Sequence, residues 1–266
     1  MAELLSYPFF QNALLIGLLC SLVCGVIGSF VVVKRMSFIS GSIAHAAFGG
    51  LGLSYWLGFN PLLGAMGFGF LSALLMGMIR FRFRQQEDAL IGALWAVGMS
   101  IGVICISLGS GYAGDLFGYL FGSILLTSDS DLLLMVLLNI LVLGAVGYFY
   151  YPLVAITFDE DYASVLNLPV MALYLGLLEL VTLTVIMLLK VVGTILVIAL
   201  LTLPASAAAN WTARLRVMMM VSVGIGAVST VGGIFLATFL NFPPGPVIIF
   251  VCSLFYVASL LIHSKD

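Results

Sequence analysis

The sequence predicts an all-α polytopic membrane protein with eight to nine transmembrane helices, organised as a single membrane domain over residues 1–266. Three observations carry this. Of 266 residues, 63% are apolar and 8% charged, with a mean hydropathy of +1.28, which leaves too little polar surface to coat a soluble body of that length. The apolar residues fall into runs of about 20, the length that crosses a hydrocarbon core. The few basic residues collect between alternate runs, as Lys and Arg do on the cytoplasmic side of a membrane.

The runs can be taken in order. The first, near 9–33, follows MAELLSYPFFQN, where Glu3 and the lack of a basic segment favour a retained helix over a cleaved signal. Lys34 and Arg35 close it. Runs near 36–58 and 61–79 follow, the latter ending at Arg80, Arg82 and Arg84, and then 89–110 and 131–151. The runs 171–189 and 191–209 flank Lys190 so closely that they read as two crossings or as one broken or re-entrant segment, hence eight or nine. The last two, near 217–240 and 246–262, are bounded by Arg214, Arg216 and Lys265. With the N-terminus outside and every run crossing, only Lys190 of the 9 basic residues falls outside.

Two connections stand out. Residues 109–130 lie outside in this topology, and their LFGYLFGSIL stretch is apolar enough for a short interfacial or re-entrant helix. Residues 152–169 lie in the cytoplasm and contain FDEDYASVLNLP, which predicts a short helix. Asp159, Glu160 and Asp161 suit the positive end of the helix dipole, and Asn167 tolerates the left-handed conformation at the other end, before Pro169. Tyr162, Val165 and Leu166 form a small apolar face. Docking onto a separate cytoplasmic protein and packing against the membrane domain's own underside both explain such a face.

Several functions are excluded. None of Lys34, Lys190 and Lys265 lies in a glycine-rich phosphate-binding loop, so the chain cannot hydrolyse ATP by that chemistry. Two histidines leave little acid-base equipment, so no enzyme, no resident cofactor and no nucleic-acid partner are expected. Cys20, Cys24, Cys105 and Cys252 sit in apolar runs as small packing residues, although Cys20 and Cys24 share a helix face.

The informative polar residue is His45, within MSFISGSIAHAAFGG. A titratable, metal-capable group in a lipid-spanning helix costs about 2–3 kcal/mol on insertion scales, and such groups mark transport pathways. The competing explanation is a hydrogen bond across a tight helix interface made by Gly41, Gly49 and Gly52. Glu179 and Lys190 are three helical turns apart, so they share a face without touching; Glu179 is the better pathway candidate, and Lys190 is an anchor. Pro204 and the prolines of residues 243–246 interrupt apolar runs, as happens where backbone lines a cavity, or as ordinary kinks and loops.

Several segments, in shared order and spacing, resemble the membrane permease subunit of the zinc and manganese ABC uptake transporters nearly end to end. They are GSFVVVKRMSFISGSIAHA at 28–46, EDALIGALWAVGMSIGVI at 87–104, DLFGYLFGSIL at 115–125, VGTILVIALLTLPASAA at 192–208 and FPPGPVIIFV at 242–251. The resemblance implies a type II ABC importer-like fold in the cell (inner or cytoplasmic) membrane. It also implies a lipid-embedded homodimer, a cytoplasmic ATP-binding subunit and an extracytoplasmic metal-binding protein. The cargo implied is a divalent metal ion, zinc, manganese or iron.

By the same resemblance FDEDYASVLNLP is the ATPase-coupling segment, matched at Asp159, Ala163, Leu166, Leu168 and Pro169, with Asn167 where relatives carry Gly. His45 matches the family histidine. Two positions depart: Gly41 replaces an Asp four residues earlier, and Ala96 replaces a second histidine of zinc-type relatives. The ion path then draws on His45, Ser42, Asp88 and Glu179, with Ser40 or backbone oxygens beside them. Alternatives are a permease for a metal chelate such as cobalamin or a siderophore, an ATPase-independent secondary transporter, and an intramembrane enzyme using His45. Scarce intramembrane acids and the absence of a second ligand at metal spacing weigh against the last two.

Overall fold

The computed structural model describes residues 6–83, 87–108, 122 and 124–263. Among them every regular element is helical: α1 (Pro8–Val33), α2 (Ser37–Leu57), α3 (Pro61–Phe83), α4 (Glu87–Leu108), a 3-10 turn (Ile124–Leu126), α5 (Asp129–Tyr148), α6 (Tyr150–Phe158), α7 (Glu160–Val165), α8 (Val170–Val192), α9 (Thr194–Ala209), α10 (Leu215–Leu240) and α11 (Pro244–His263). The LFGYLFGSIL stretch lies largely outside the described residues.

Each of the nine apolar runs falls largely within helix among the described residues, the run 131–151 passing from α5 into α6, and the expected count of eight to nine spans stands unconfirmed. By length and apolarity seven helices among the described residues qualify to cross a membrane: α1, α3, α4, α5, α8, α10 and α11. α9 has 16 residues, about 24 Å at 1.5 Å per residue, which is less than a hydrocarbon core. α2 is long enough, but four serines, four glycines and His45 lower its hydropathy, and it is buried along most of its length. A helix surrounded by other helices does not need a lipid-compatible surface.

Local chemistry sets the boundaries. α8 and α9 are distinct helices because Gly193 between them adopts φ 80° and ψ 162°, a positive-φ conformation that glycine accommodates. Asn241, at φ 56°, ends α10. Pro61 and Pro244 open α3 and α11, where a missing N–H costs nothing. The prolines of residues 243–246 therefore make a loop and a helix start, the ordinary reading. α9 continues through Pro204, which is buried. Residues 152–158, assigned from sequence to a polar connection, belong to α6, which buries Leu153, Ile156 and Thr157.

The chain divides into two compact units, each woven from segments distant in sequence. Unit one comprises residues 1–33, 117–143 and 187–266. There α1 packs on α9 and α10, with Gly28 against the Leu201 carbonyl and Ser21 Oγ 3.1 Å from Thr230 Oγ1. Cys20, Cys24 and Cys252 are buried free thiols of this unit, as packing residues should be. Unit two comprises residues 34–116 and 144–186. Its centre is α2, pressed between α3 and α4 by facing glycines: Gly50 meets Gly64, Gly49 meets Gly98 and Gly52 meets Gly102. Small residues let the backbones approach closely, so dispersion replaces the hydrophobic drive that lipid cannot supply.

Candidate functional site

Two groups of polar residues stand out, both in unit two. The first lies on the α2–α4 seam. One turn before Gly49, His45 is half-buried and stacks on Trp95 with ring centroids 4.2 Å apart and planes tilted by 16°. Its Nδ1 lies 3.3 Å from Met99 Sδ. The glycine interface of the competing explanation does exist at Gly49 and Gly52, but the imidazole's partner across it is a thioether, a weak acceptor.

The other path candidates are placed differently. Ser42 is fully buried and its Oγ donates to the Ile91 carbonyl at 2.9 Å, which links α2 to α4. Ser40 Oγ donates to the Ser37 carbonyl of its own helix. Asp88 falls in the first turn of α4, and its side chain lies outside those described. Glu179 sits in the middle of α8, partly buried, its Oε2 shielded from solvent with no hydrogen-bond partner among the described residues. The Lys190 side chain is also outside those described. No group of three or more His, Cys, Asp and Glu side chains stands within reach of one ion among the described residues.

The second group anchors α7. Asp159 precedes the first turn in extended conformation, and its Oδ1 accepts from the Tyr162 N–H at 2.9 Å, making it the N-cap rather than a first-turn residue. At the other end the Leu168 N–H donates to the Ala163 carbonyl and the Asn167 N–H to the Ser164 carbonyl, with Asn167 at φ 56°. That is a Schellman motif with Asn in the left-handed position, as the sequence predicts.

Glu160 Oε1 accepts from Lys34 Nζ and, at 2.9 Å, from Arg80 Nη2. Lys34 also donates to the Ile156 carbonyl, and the Arg80 guanidinium lies 4.2 Å above the Tyr174 ring. These contacts bring the α1–α2 turn, the last turn of α3 and α7 to one end of unit two, the arrangement the basic-residue pattern requires.

Tyr162, Val165 and Leu166 are 58%, 77% and 50% exposed, so the apolar face of α7 points away from the chain's own helices. Ala163 is fully buried: its small side chain lets α7 sit close to the chain and does not face outward with the trio. Leu168 is partly buried, and exposed Pro169 begins the chain into α8.

Sequence reasoning missed Trp95 and Met99 as neighbours of His45. It also read Lys34 and Arg80 only as topology markers. Their partner Glu160 lies 126 and 80 residues away, a separation that leaves no local signal.

Apolar helices of crossing length, a lone imidazole on a buried seam and an anchored helix with an outward apolar face define a multi-pass membrane transport subunit. The chain belongs to the ABC 3 transport family, whose profile matches residues 6–263. It is 46% identical over 260 residues to an uncharacterized membrane protein of Synechocystis, covering 98% of this chain and 92% of that one. It is 33% identical over 263 residues to the manganese transport system membrane protein MntC of Listeria innocua, covering 99% and 94%. Among solved structures, PsaBC from Streptococcus pneumoniae in complex with Fab superposes with a TM-score of 0.87 at 30% identity, covering 97% of this chain and 94% of that one. The expected permease family and membrane location are thereby borne out.

Proposed function

We propose that this chain is the permease of an ATP-driven importer of divalent transition-metal ions, manganese, zinc or iron, working as a homodimer embedded in lipid. The observation that carries the reading is α7: a capped helix, tied from behind through Glu160, that turns Tyr162, Val165 and Leu166 outward. Such a surface suits a cytoplasmic ATP-binding subunit, and the chain lacks a phosphate-binding loop of its own. Asp159, Asn167 and Pro169 shape this coupling element, and Leu166 touches the partner. An extracytoplasmic metal-binding protein delivers the ion from the other side.

Nucleotide-driven movement of α7 alternates the access of a path on which His45 contacts the ion. Glu179 supplies a carboxylate at membrane depth, and Asp88 lies near the cytoplasmic end of α4. The ion is cargo, and no resident cofactor takes part. The relative named for manganese supports the choice of metal class.

The deciding experiment reconstitutes the chain with its ATP-binding and metal-binding partners in proteoliposomes and follows manganese, zinc and iron. ATP-dependent accumulation of at least one ion is expected. Uptake that proceeds without the ATP-binding subunit would overturn the reading.

A further inference from the structure

We propose that Met99 is a second donor to the permeating ion, paired with His45, and that this pair favours zinc over manganese. The inference rests on the reading of His45 as an ion contact.

The geometry suits a shared ion. With nitrogen about 2.0–2.1 Å from a zinc-sized ion and sulfur at or somewhat beyond the roughly 2.3 Å of a thiolate, angles of roughly 90–110° place the two donors about 3.1–3.7 Å apart. His45 Nδ1 and Met99 Sδ are 3.3 Å apart, a separation within that range. The two side chains come from α2 and α4, whose register is fixed because Gly49 and Gly98 meet backbone to backbone. Trp95 lies flat against the imidazole, which fixes the ring plane and leaves the ring edge carrying Nδ1 turned to the sulfur. An indole face also attracts a cation held nearby.

The chemistry of the pair points away from manganese. Thioether and imidazole are soft to borderline donors, whereas manganese is served by carboxylate, carbonyl and water oxygens. One turn before His45 the chain carries Gly41, and on α4 it carries Ala96, so neither position offers a carboxylate or a second imidazole. The hydroxyl of Ser42 is engaged by the Ile91 carbonyl. Without the ion, the imidazole nitrogen faces a sulfur that is a poor hydrogen-bond partner. Water completes the shell of a two-donor site, which binds loosely enough to release its cargo.

The test is Met99→Leu in the assembled transporter, since this exchange conserves core volume. Zinc and manganese uptake are measured side by side, and the zinc-loaded protein is examined by X-ray absorption. The zinc-to-manganese ratio should fall about tenfold, the order of loss seen when a metal's supporting groups are removed, and a sulfur scatterer should disappear. Met99→Gln, which keeps chain length and offers oxygen, should shift the ratio the same way. An unchanged ratio and spectrum in both variants, in a transporter that His45→Ala disables, overturns the pair and leaves the contact role of His45 standing. If His45→Ala also transports normally, the reading of His45 falls and the pair with it.

Discussion

Lys34 and Glu160 form an ion pair across 126 residues of chain, and the Lys34 side chain is only 8% exposed. The pair joins the turn before the histidine-bearing helix α2 to the helix that presents an apolar face outward. Removing Glu160 leaves a largely buried ammonium without its carboxylate, which costs about 2–4 kcal/mol, whereas removing both partners together costs less. Glu160→Gln should lower the thermal midpoint of the purified protein and reduce uptake per ATP hydrolysed by about fivefold or more. Lys34→Met combined with Glu160→Gln should recover part of the midpoint. Equal midpoints for wild type and Glu160→Gln would show that the pair does not hold α7.

Leu166→Asp is expected to behave differently. The side chain is half exposed, so the folded chain should keep its thermal midpoint within about 0.5 kcal/mol of stability. Copurification of the ATP-binding subunit should nevertheless drop by about tenfold, because a carboxylate in an apolar contact must be desolvated. Normal assembly and uptake with Leu166→Asp would remove α7 from the docking surface.

Substitutions at His45 separate ligation from packing. If the imidazole contacts the ion, His45→Ala should abolish most metal uptake while expression stays normal, and His45→Gln should rescue little. If it serves only the α2–α4 seam, Gln keeps a hydrogen-bonding group and should preserve uptake. Near-normal transport by His45→Gln beside an unstable His45→Ala would settle the matter for packing.

The glycine seam makes a steric prediction. A Cβ at Gly50 would overlap the Gly64 carbonyl oxygen, which is backbone and cannot swing aside, whereas one at Gly144 meets nothing within 4 Å. Gly50→Ala should destabilise by about 1–3 kcal/mol, the usual cost of overpacking, and Gly144→Ala should be close to neutral. Thermal midpoints of the two variants in detergent would decide it, and equal values would sink the close-approach argument.

Much of this was legible in the sequence because membrane solvation imposes it locally. Apolar runs of crossing length become helices, so most of the nine appeared at nearly the right residues, and Asn167 was readable because few side chains tolerate a left-handed backbone. What escaped was non-local. The stretch 131–158 is two helices, α5 and α6, because apolarity alone does not mark the break at Phe149. The hydrogen bond from the Ser42 hydroxyl to the Ile91 carbonyl, 49 residues away, has no local signal either. Met99 resembled any other apolar residue until α4 was laid against α2.

The composition of α2 bears on how the protein enters its bilayer. Among the described helices of 18 residues or more, α2 is the one that is not apolar enough to qualify as a membrane span. Its serines, glycines and imidazole are accommodated by packing, with α3 and α4 closing around it. The membrane placement of the helix that carries His45 is consequently coupled to that of its two neighbours, through the glycine seams that hold the three together.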